Sequence, residues 1–359
     1  MEKILHITEV SSGGVLPVIA NICNSLADDC HMAVAYGRRV DTPANIRDYF
    51  DKRIELIPID CFRRELSIRE DRKALYEIRR VVRKYRPEIV HMHSTKAGLL
   101  GRIGLLDYKG RKYYTPHGYC FLKQDDSGGK RLVYRLMETI LAHMGCTTVA
   151  CGRGEWEYAK KLDKRAIFVN NGIDTAWIGM AAEKAGRKMH SFTVYTAGRI
   201  GPQKNPKLFN AIAKKCPDIR FVWIGDGEER KYLTSSNITV TGFVSRDRVI
   251  ELSVNYDCYL SCSLWEGLPM ALLEAMYMEK ECIVSNIAGN RDLIENGVNG
   301  LVADGEDDFV EALRKIQKAK GRYGGKARSS IAEEYSLAAM ERGYRFIYSA
   351  EKNKRKIRL

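Results

Sequence analysis

The sequence predicts an α/β protein of two similar halves, each a mostly parallel sheet with helices on both faces. Three observations carry this expectation. Short apolar runs alternate with amphipathic helical stretches, the pattern of strand–helix–strand crossovers. The alternation halts in a turn-rich, polar stretch after Val169 and restarts at Thr193. A chain of 359 residues suits two domains of ordinary size.

In order, Lys3–Thr8 reads as a strand, followed by Ser11-Ser12-Gly13-Gly14 and a helix from Val15 to Ala27. Met32–Tyr36 and Ile54–Ile57 are strands, the second stopped by Pro58. A long helix from Glu65 to Arg86 carries apolar Leu75, Ile78 and Val82 on one face and ends at Pro87. The strand Ile89–His93, a helix near Ala97–Leu105 and the strand Lys112–Thr115 follow. A helix over Arg131–His143, the strand Thr147–Ala150, a helix near Glu155–Leu162 and Ile167–Val169 complete the first half. The cluster Asn170-Asn171-Gly172-Ile173-Asp174 and the polar residues up to His190 read as the connection.

The second half repeats the pattern with strands Thr193–Thr196, Ile219–Ile224 and Ile238–Thr241. Helices are expected over Pro206–Lys215, Asp226–Leu233 and Arg246–Leu252. The apolar run Tyr256–Leu260 is a buried strand, and Pro269 opens a helix through Met276, since proline suits a first helical turn. Glu281–Ser285, a short helix near Arg291–Ile294, Gly300–Val302 and a helix over Asp307–Lys318 close the sheet. A basic amphipathic helix, Leu337–Lys352, ends the pattern. The expected organisation is two Rossmann-like α/β/α domains facing a central cleft, 1–172 and 190–335. Residues 336–359 form a C-terminal piece, which resemblance to a known fold implies crosses back to the N-terminal domain.

Composition narrows the function. No apolar run reaches membrane-spanning length and the N-terminus lacks a signal-peptide pattern, so a cytoplasmic location is expected. The ten cysteines are scattered and never form a CxxC pair, which reads as reduced core thiols. The net charge of +14 calls for an anionic partner. Its carriers lie on helices: Arg63-Arg64, Arg69 to Arg86, Lys160-Lys161 with Lys164-Arg165, and the tail Lys352 to Arg358. There is no aromatic-studded basic strand, zinc pattern or helix-turn-helix, so an anionic membrane surface fits better than nucleic acid.

Four loops that follow strands carry the candidate chemistry, because ligands of open α/β sheets bind beyond the carboxyl ends of the strands. Ser11 to Gly14 is either a phosphate approach made by small residues or a plain tight turn, and it is not GxGxxG. Thr115-Pro116-His117-Gly118-Tyr119 either aims the His117 ring from a constrained turn or holds a structural histidine. His91 and His93 resemble metal ligands, but no third ligand has suitable spacing, so no metal is expected. Gly198 to Pro206 places Arg199, a fork suited to phosphate, beside Lys204, a point charge.

The fourth loop, Ser261 to Met276, holds Glu266 before Gly267-Leu268-Pro269 and Glu274 one turn into the helix. Backbone N–H groups near Met270 and Ala271 sit unpaired at the positive end of the helix dipole, a ready anion site. Either the two carboxylates flank a phosphate and match a sugar, a diphosphate and a ribose in sequence, or Glu266 only complements the helix dipole and Glu274 is a solvated helix residue. Gly225-Asp226-Gly227 and Gly242-Phe243-Val244 assist, the latter placed to meet a base through its backbone.

Taken together, Gly13-Gly14, Pro116-His117-Gly118, Asn171-Gly172-Ile173-Asp174, Gly198-Arg199 with Lys204-Asn205, Gly225-Asp226-Gly227, Glu266-Gly267-Leu268-Pro269 through Glu274-Ala275-Met276, and Asn296 to Val302 resemble retaining glycosyltransferases of family 4, with the GT-B fold. The pieces span nearly the whole chain in the family's order. The resemblance implies that Arg199 and Lys204 hold the donor diphosphate. It implies that Glu266 contacts the sugar hydroxyls, Glu274 the ribose, and backbone near Phe243 the base. Gly267 to Ala271 (Gly267, Leu268, Met270 and Ala271 through N–H, Pro269 without one) would bind sugar and phosphate. Gly14 and His117 would approach the transferred sugar. Asn170, Ala150-Cys151-Gly152 and Gly289-Asn290-Arg291-Asp292 depart from the family's usual residues.

The implied reaction is metal-independent transfer of a sugar, with retention, from a nucleotide-sugar, with uridine diphosphate as the carrier by resemblance. No cofactor is implied. His93-Ser94-Thr95-Lys96-Ala97-Gly98 resembles a segment of bacterial surface-polysaccharide enzymes acting on polyprenyl-diphosphate-linked saccharides at the inner membrane face. The competing readings are a GT-B nucleotide-sugar epimerase and a non-enzymatic basic polyanion-binding protein.

Overall fold

Apolar strands flanked by glycine, proline and polar turns pair in parallel when each is followed by a helix long enough to cross back. That rule builds both sheets in the computed structural model, which describes residues 1–10, 14–39, 42–63, 67–186, 191–319 and 321–356, and side chains as far as Ser349. Ser11, Ser12 and Gly13 of the first loop, Arg64 of the basic pair, Glu65 at the expected helix start, the connection from 187 to 190, and Arg358 lie outside the described residues.

Two compact units divide the chain. The first contains β1 (Glu2–Thr8), α1 (Val15–Leu26), β2 (Cys30–Gly37), β3 (Glu55–Ile59), α2 (Ile68–Tyr85), β4 (Ile89–His93), α3 (Thr95–Gly104), β5 (Arg111–Thr115), α4 (Gly128–Ala142), β6 (Thr147–Ala150), α5 (Arg153–Leu162) and β7 (Ile167–Phe168). Its seven strands run in the order β3-β2-β1-β4-β5-β6-β7, all pairs parallel. Leu5, Ile7, Val90, Met92, Ala74 and Ile78 fill its core. Ser67 caps α2, its side chain accepting from the Glu70 N–H, and Arg86 ends the helix in the left-handed region before Pro87.

The second unit holds α6 (Thr175–Ala185), β8 (Thr193–Ala197), α7 (Pro206–Lys215), β9 (Arg220–Ile224), β10 (Ile238–Val240), α8 (Arg246–Val254), β11 (Cys258–Ser261), α9 (Met270–Tyr277), β12 (Glu281–Ser285), α10 (Ala288–Arg291), β13 (Leu301–Ala303), α11 (Glu306–Lys318) and α12 (Gly324–Ala332). Its six strands run β10-β9-β8-β11-β12-β13, again all parallel. Phe209, Phe221, Trp223 and Phe309 dominate the core.

The last helix, α13 (Leu337–Lys356), belongs to the first unit. Tyr348 Oη lies 2.6 Å from His91 Nδ1, Tyr113 Oη donates to the Ile347 carbonyl at 2.8 Å, and Arg345 pairs with Asp29 of the α1–β2 turn. Gly343 is pressed against Val169, where a Cβ would come within 2.6 Å of Cγ1.

Several element expectations fail or shift. Pro58 does not stop its strand but lies inside β3 opposite Tyr36, which an edge strand tolerates, and the short helix expected near Arg291–Ile294 spans Ala288–Arg291 instead. The polar connection contains α6, whose Asp174 cap accepts from the Trp177 N–H at 2.9 Å, a cap that the neighbouring turn residues obscure. Asp226–Leu233 forms only one 3₁₀ turn at Arg230–Tyr232. There Gly225 is left-handed and Gly227 lies so close to Ile200 that a Cβ would meet its carbonyl oxygen at 2.2 Å, which leaves no room for a helical start. Gly324–Ala332 is a helix that its two leading glycines disguise.

Candidate functional site

In the second unit, two loops beyond strand ends are zipped together. After β8, Gly198 takes a left-handed φ of 137°, and the Lys204 stem folds back to within 3.2 Å of where a Cβ would stand. Asn205, also left-handed, caps α7, its side chain accepting from the Leu208 N–H. After β11, the Leu264 N–H donates to the Gln203 carbonyl at 2.8 Å, and Gln203 Nε2 donates back to the Trp265 carbonyl at 2.9 Å. Leu268 is buried and pins the turn.

Glu266 sits at the centre of this junction. One carboxylate oxygen accepts from Lys204 Nζ at 2.8 Å and from Ser263 Oγ at 2.8 Å, and the other accepts from Gln203 Nε2 at 3.0 Å. Burial works against the Lys204 charge, and the adjoining carboxylate more than offsets it, raising the ammonium pKa. Sequence reasoning placed Lys204 on a phosphate and Glu266 on a sugar; the structure makes them each other's counter-ions. Arg199 is likewise paired, its Nε 3.0 Å from Glu228 Oε2, with both side chains half exposed. Gln203 and Ser263 were missed because short polar residues flanking charged ones carry no periodic signal, and Glu228 because its partner Arg199 lies 29 residues away in the chain.

Pro269 is extended and precedes α9, whose first turn has no side-chain cap and no acidic residue. The Pro269 carbonyl accepts from Leu272 and Leu273, so the Met270 and Ala271 N–H groups point out of the helix end beside Glu266. Glu274, one turn on, is nearly buried; burial raises its pKa, and Arg246, 3.3 Å away, opposes that rise. Arg246 also lies over the Trp177 ring at 4.6 Å, two partners the sequence did not announce. Gly289 backs the loop: a Cβ there would come within 2.5 Å of the Gly267 carbonyl and 3.1 Å of Glu266 Cβ. Asp226 is engaged locally with the Gly227 N–H and Arg230, and Phe243 is 79% exposed beyond β10. Gly225 approaches Gly198 so closely that a Cβ would clash with its carbonyl.

In the first unit the strand ends carry histidines. His117 adopts a left-handed φ of 53° with Gly118 following at 92°. The Glu155 carboxylate holds that turn by accepting from the Gly118 N–H and, at 2.8 Å, from the Cys151 N–H. Gly14 precedes α1 as its N-cap, and Gly13 lies outside the described residues. Glu9, beyond β1, accepts from Ser94 Oγ and from the Ala97 N–H at 3.0 Å, so a buried carboxyl fills the N-terminus of α3. Burial raises its pKa, against those hydrogen bonds.

The expectation that His91 and His93 have no third companion is corrected. His6, paired with His91 in register across β1 and β4, brings a third ring, and ligand atoms of His6, His91 and His93 lie within 4.8 Å of one another. Spacing along the chain hides a neighbour that only the parallel register supplies. Yet the rings are already committed. His6 Nδ1 is 2.8 Å from His93 Nε2, and His93 Nδ1 is 3.0 Å from His117 Nε2. His91 bridges Tyr348 and Thr115. Metal ligation by all three would break these contacts, and the three ring planes, within 30° of parallel, do not converge on one point.

The chain His6–His93–His117 fixes a tautomer instead. His6 Nε2 is buried without a partner among the described residues. The tautomer that strands no buried N–H carries the proton on Nδ1, and it is the one assigned to His6. His6 then donates to His93, His93 donates to His117, and His117 carries its own proton on Nδ1. Burial pushes His6 to about 3 and His117 to about 4, so the chain is neutral at ordinary pH.

Comparisons with known proteins give a consistent family. The "Glycosyltransferase Family 4" model matches residues 12–177 and the "Glycosyl transferases group 1" model residues 178–334. The UDP-Gal:alpha-D-GlcNAc-diphosphoundecaprenol alpha-1,3-galactosyltransferase of Escherichia coli is 31% identical over 309 residues, 77% of this chain and 78% of that protein. The capsular polysaccharide biosynthesis glycosyltransferase CapM of Staphylococcus aureus is 23% identical over 88% of this chain and 87% of its own. Among solved structures, sucrose-phosphate synthase from Thermosynechococcus elongatus superposes with a TM-score of 0.84 at 15% identity, covering 98% of this chain and all of that one. Anabaena HepE, in complex with UDP and glucose, gives 0.76 at 16% identity, over 97% of this chain and all of its own. At these identities the structures show the GT-B fold alone.

Proposed function

Because the chain belongs to the family 4, group 1 glycosyltransferases, we propose that it moves a hexose from a UDP-sugar, with retention, to a polyprenyl-diphosphate-linked saccharide in surface-polysaccharide synthesis. The observation that carries the proposal is the junction of Lys204, Gln203, Ser263 and Glu266 beside the uncapped start of α9. It offers a cation paired with a carboxylate, followed a few residues on by outward N–H groups. The galactosyltransferase relative supports the donor and acceptor classes by its name.

In this reading the diphosphate settles on the Met270 and Ala271 N–H groups and draws Lys204 from Glu266, whose freed oxygens accept from sugar hydroxyls. Arg199 leaves Glu228 for the outer phosphate. The sugar–phosphate bond then breaks through an oxocarbenium-like state, and these fixed groups take up the charge arriving on the leaving diphosphate. The leaving phosphate accepts the proton of the incoming hydroxyl on the same face, so the new bond keeps the old configuration. The two cations and the helix end give the charge stabilisation that a divalent metal supplies elsewhere. The family resemblance implies that His117 approaches the transferred sugar, and a ring with its proton on Nδ1 is a hydrogen-bond donor there.

The test is nucleotide release from a panel of UDP-, GDP- and ADP-sugars, with and without chelator, in the wild type and Lys204→Ala. Release from one UDP-sugar that survives chelator and falls about 10²–10³-fold in the variant is expected. Release that needs added metal, or an epimerised sugar formed without acceptor, would overturn the mechanism.

A further inference from the structure

Helix α4 is built inside out. Its one acidic residue, Glu138, faces the core, where it accepts from Arg102 Nη2 at 2.8 Å and from Tyr114 Oη at 2.9 Å. Arg102 lies over the Tyr114 ring at 4.0 Å, and its Nε donates to the Gly98 carbonyl. A buried ion pair held by these contacts fixes the rotation of the helix, since turning it would strand two charges in the core. The opposite face is thereby committed outward, and it carries Leu132, Val133, Leu136 and Ile140 at 57, 63, 54 and 62% exposure. Leu132, Leu136 and Ile140 repeat every four residues, an apolar ridge about 12 Å long. No other helix of the described residues exposes four large apolar side chains.

The surroundings of the ridge select its occupant. Lys130, Arg131 and Arg135 are exposed along the same helix, and no acid shares the exposed face. Two copies packed ridge to ridge would bring like charges together, whereas an anionic lipid surface complements them. The chain carries +14 overall, and among the described residues no helix is long and apolar enough to cross a membrane, so contact would be interfacial.

We propose that α4 is the membrane-docking surface, its ridge entering the acyl boundary of an anionic leaflet and its basic rim meeting lipid phosphates. This rests on the reading that the acceptor is lipid-linked. The experiment is flotation of the full chain with phosphatidylglycerol–phosphatidylcholine vesicles, for the wild type, Leu132→Glu/Leu136→Glu and Arg135→Glu. The double variant is expected to lower the bound-to-free ratio at least about tenfold with an unchanged melting temperature, and Arg135→Glu to weaken binding most at low salt. A wild type that does not float, or a double variant that floats equally, overturns the proposal. So does light scattering that shows a wild-type dimer turned monomeric by the double variant while flotation is unchanged. Donor hydrolysis without acceptor, measured on the same samples, reports on the enzymatic reading separately: it should be equal in wild type and double variant.

Discussion

Glu266→Gln should strengthen binding of free UDP while nearly abolishing sugar transfer. In the ligand-free protein Glu266 and Lys204 are 2.8 Å apart, with side chains only 9% and 17% exposed, so a diphosphate must compete with a carboxylate for the ammonium. A phosphate oxygen on the far side of Lys204 would lie about 5 Å from that carboxylate, and two unit charges so placed repel by about 3 kcal/mol at an effective dielectric of 20. Solvent at the loop mouth lowers this to about 1–2 kcal/mol, or roughly 5- to 30-fold in affinity. The amide keeps the shape but has one acceptor oxygen, so it can accept from Gln203 or from Ser263 and Lys204 but not from both sides, and it leaves Lys204 without a counter-ion. The ligand-free variant should therefore melt lower by about 2–6 °C and gain more from UDP than the wild type does. Transfer should fall about 10²–10³-fold, since a neutral amide cannot hold sugar hydroxyls as a carboxylate does. Calorimetric titration with UDP and nucleotide-release kinetics read the two effects separately. Weaker UDP binding in a folded Glu266→Gln would refute the competition and remove Lys204 from the phosphate.

Three further outcomes follow from the geometry. His6, His91 and His93 are held neutral by burial, with pKa values below the ordinary histidine range. The unfolded chain therefore binds protons below about pH 6.5 that the folded chain does not, and stability falls as pH drops, by up to about 1.4 kcal/mol per unit for each ring. Glu9, with its raised pKa, has the opposite sign and blunts the slope above its ordinary value. Urea midpoints at pH 7, 6 and 5 that stay level would contradict this neutrality. Gly289→Ala should cut turnover about tenfold or more by pushing a Cβ into the Gly267 carbonyl, with the loss seen in kcat as Glu266 moves; unchanged kinetics would show that the loop yields freely. Glu274→Ala should raise the KM for donor about tenfold with kcat nearly constant, the mark of uniform binding to the ribose; a matching loss of kcat would place Glu274 in the chemistry instead.

The strands were legible because each is a short apolar run ended by glycine, proline or a polar turn, and the loops beyond them followed from that. Glu266 and Arg199 stood out as charges beside glycine in loops after strands, and Lys204 as a second cation in the Arg199 loop. What the sequence hid was mutual arrangement. The Lys204–Glu266 pair joins residues 62 apart in the chain, and His6 meets His93 across 87. Neither carries a periodic trace. Local signals also misled where tertiary packing prevailed. Asp226–Leu233 has helical composition but is held by Gly225 and Gly227 against Gly198 and Ile200. Gly324-Gly325 reads as a breaker yet opens α12, where Gly324 fits so tightly that a Cβ would strike the Glu279 carbonyl at 2.2 Å.

Under the proposed reaction, Lys204, Arg199 and the N-terminal end of α9 would meet the negative charge of the donor with full charges. The family resemblance implies that His117 approaches the transferred sugar, which becomes cationic. An imidazolium there would repel the oxocarbenium-like state by roughly 1 kcal/mol in water and about 4 kcal/mol at an effective dielectric of 20 over 4 Å. A neutral donor avoids that repulsion and still orients the ring hydroxyls. Burial holds His117 at about 4, and the His6–His93 chain gives the neutral ring a defined N–H. If this account is right, nitrogen-15 shifts of labelled histidine will show His117 protonated on Nδ1 at neutral pH, and His6→Phe will free His93 to reverse and mix the two tautomers. A single Nε2–H form in the wild type would reverse the direction of the chain and leave His117 a hydrogen-bond acceptor.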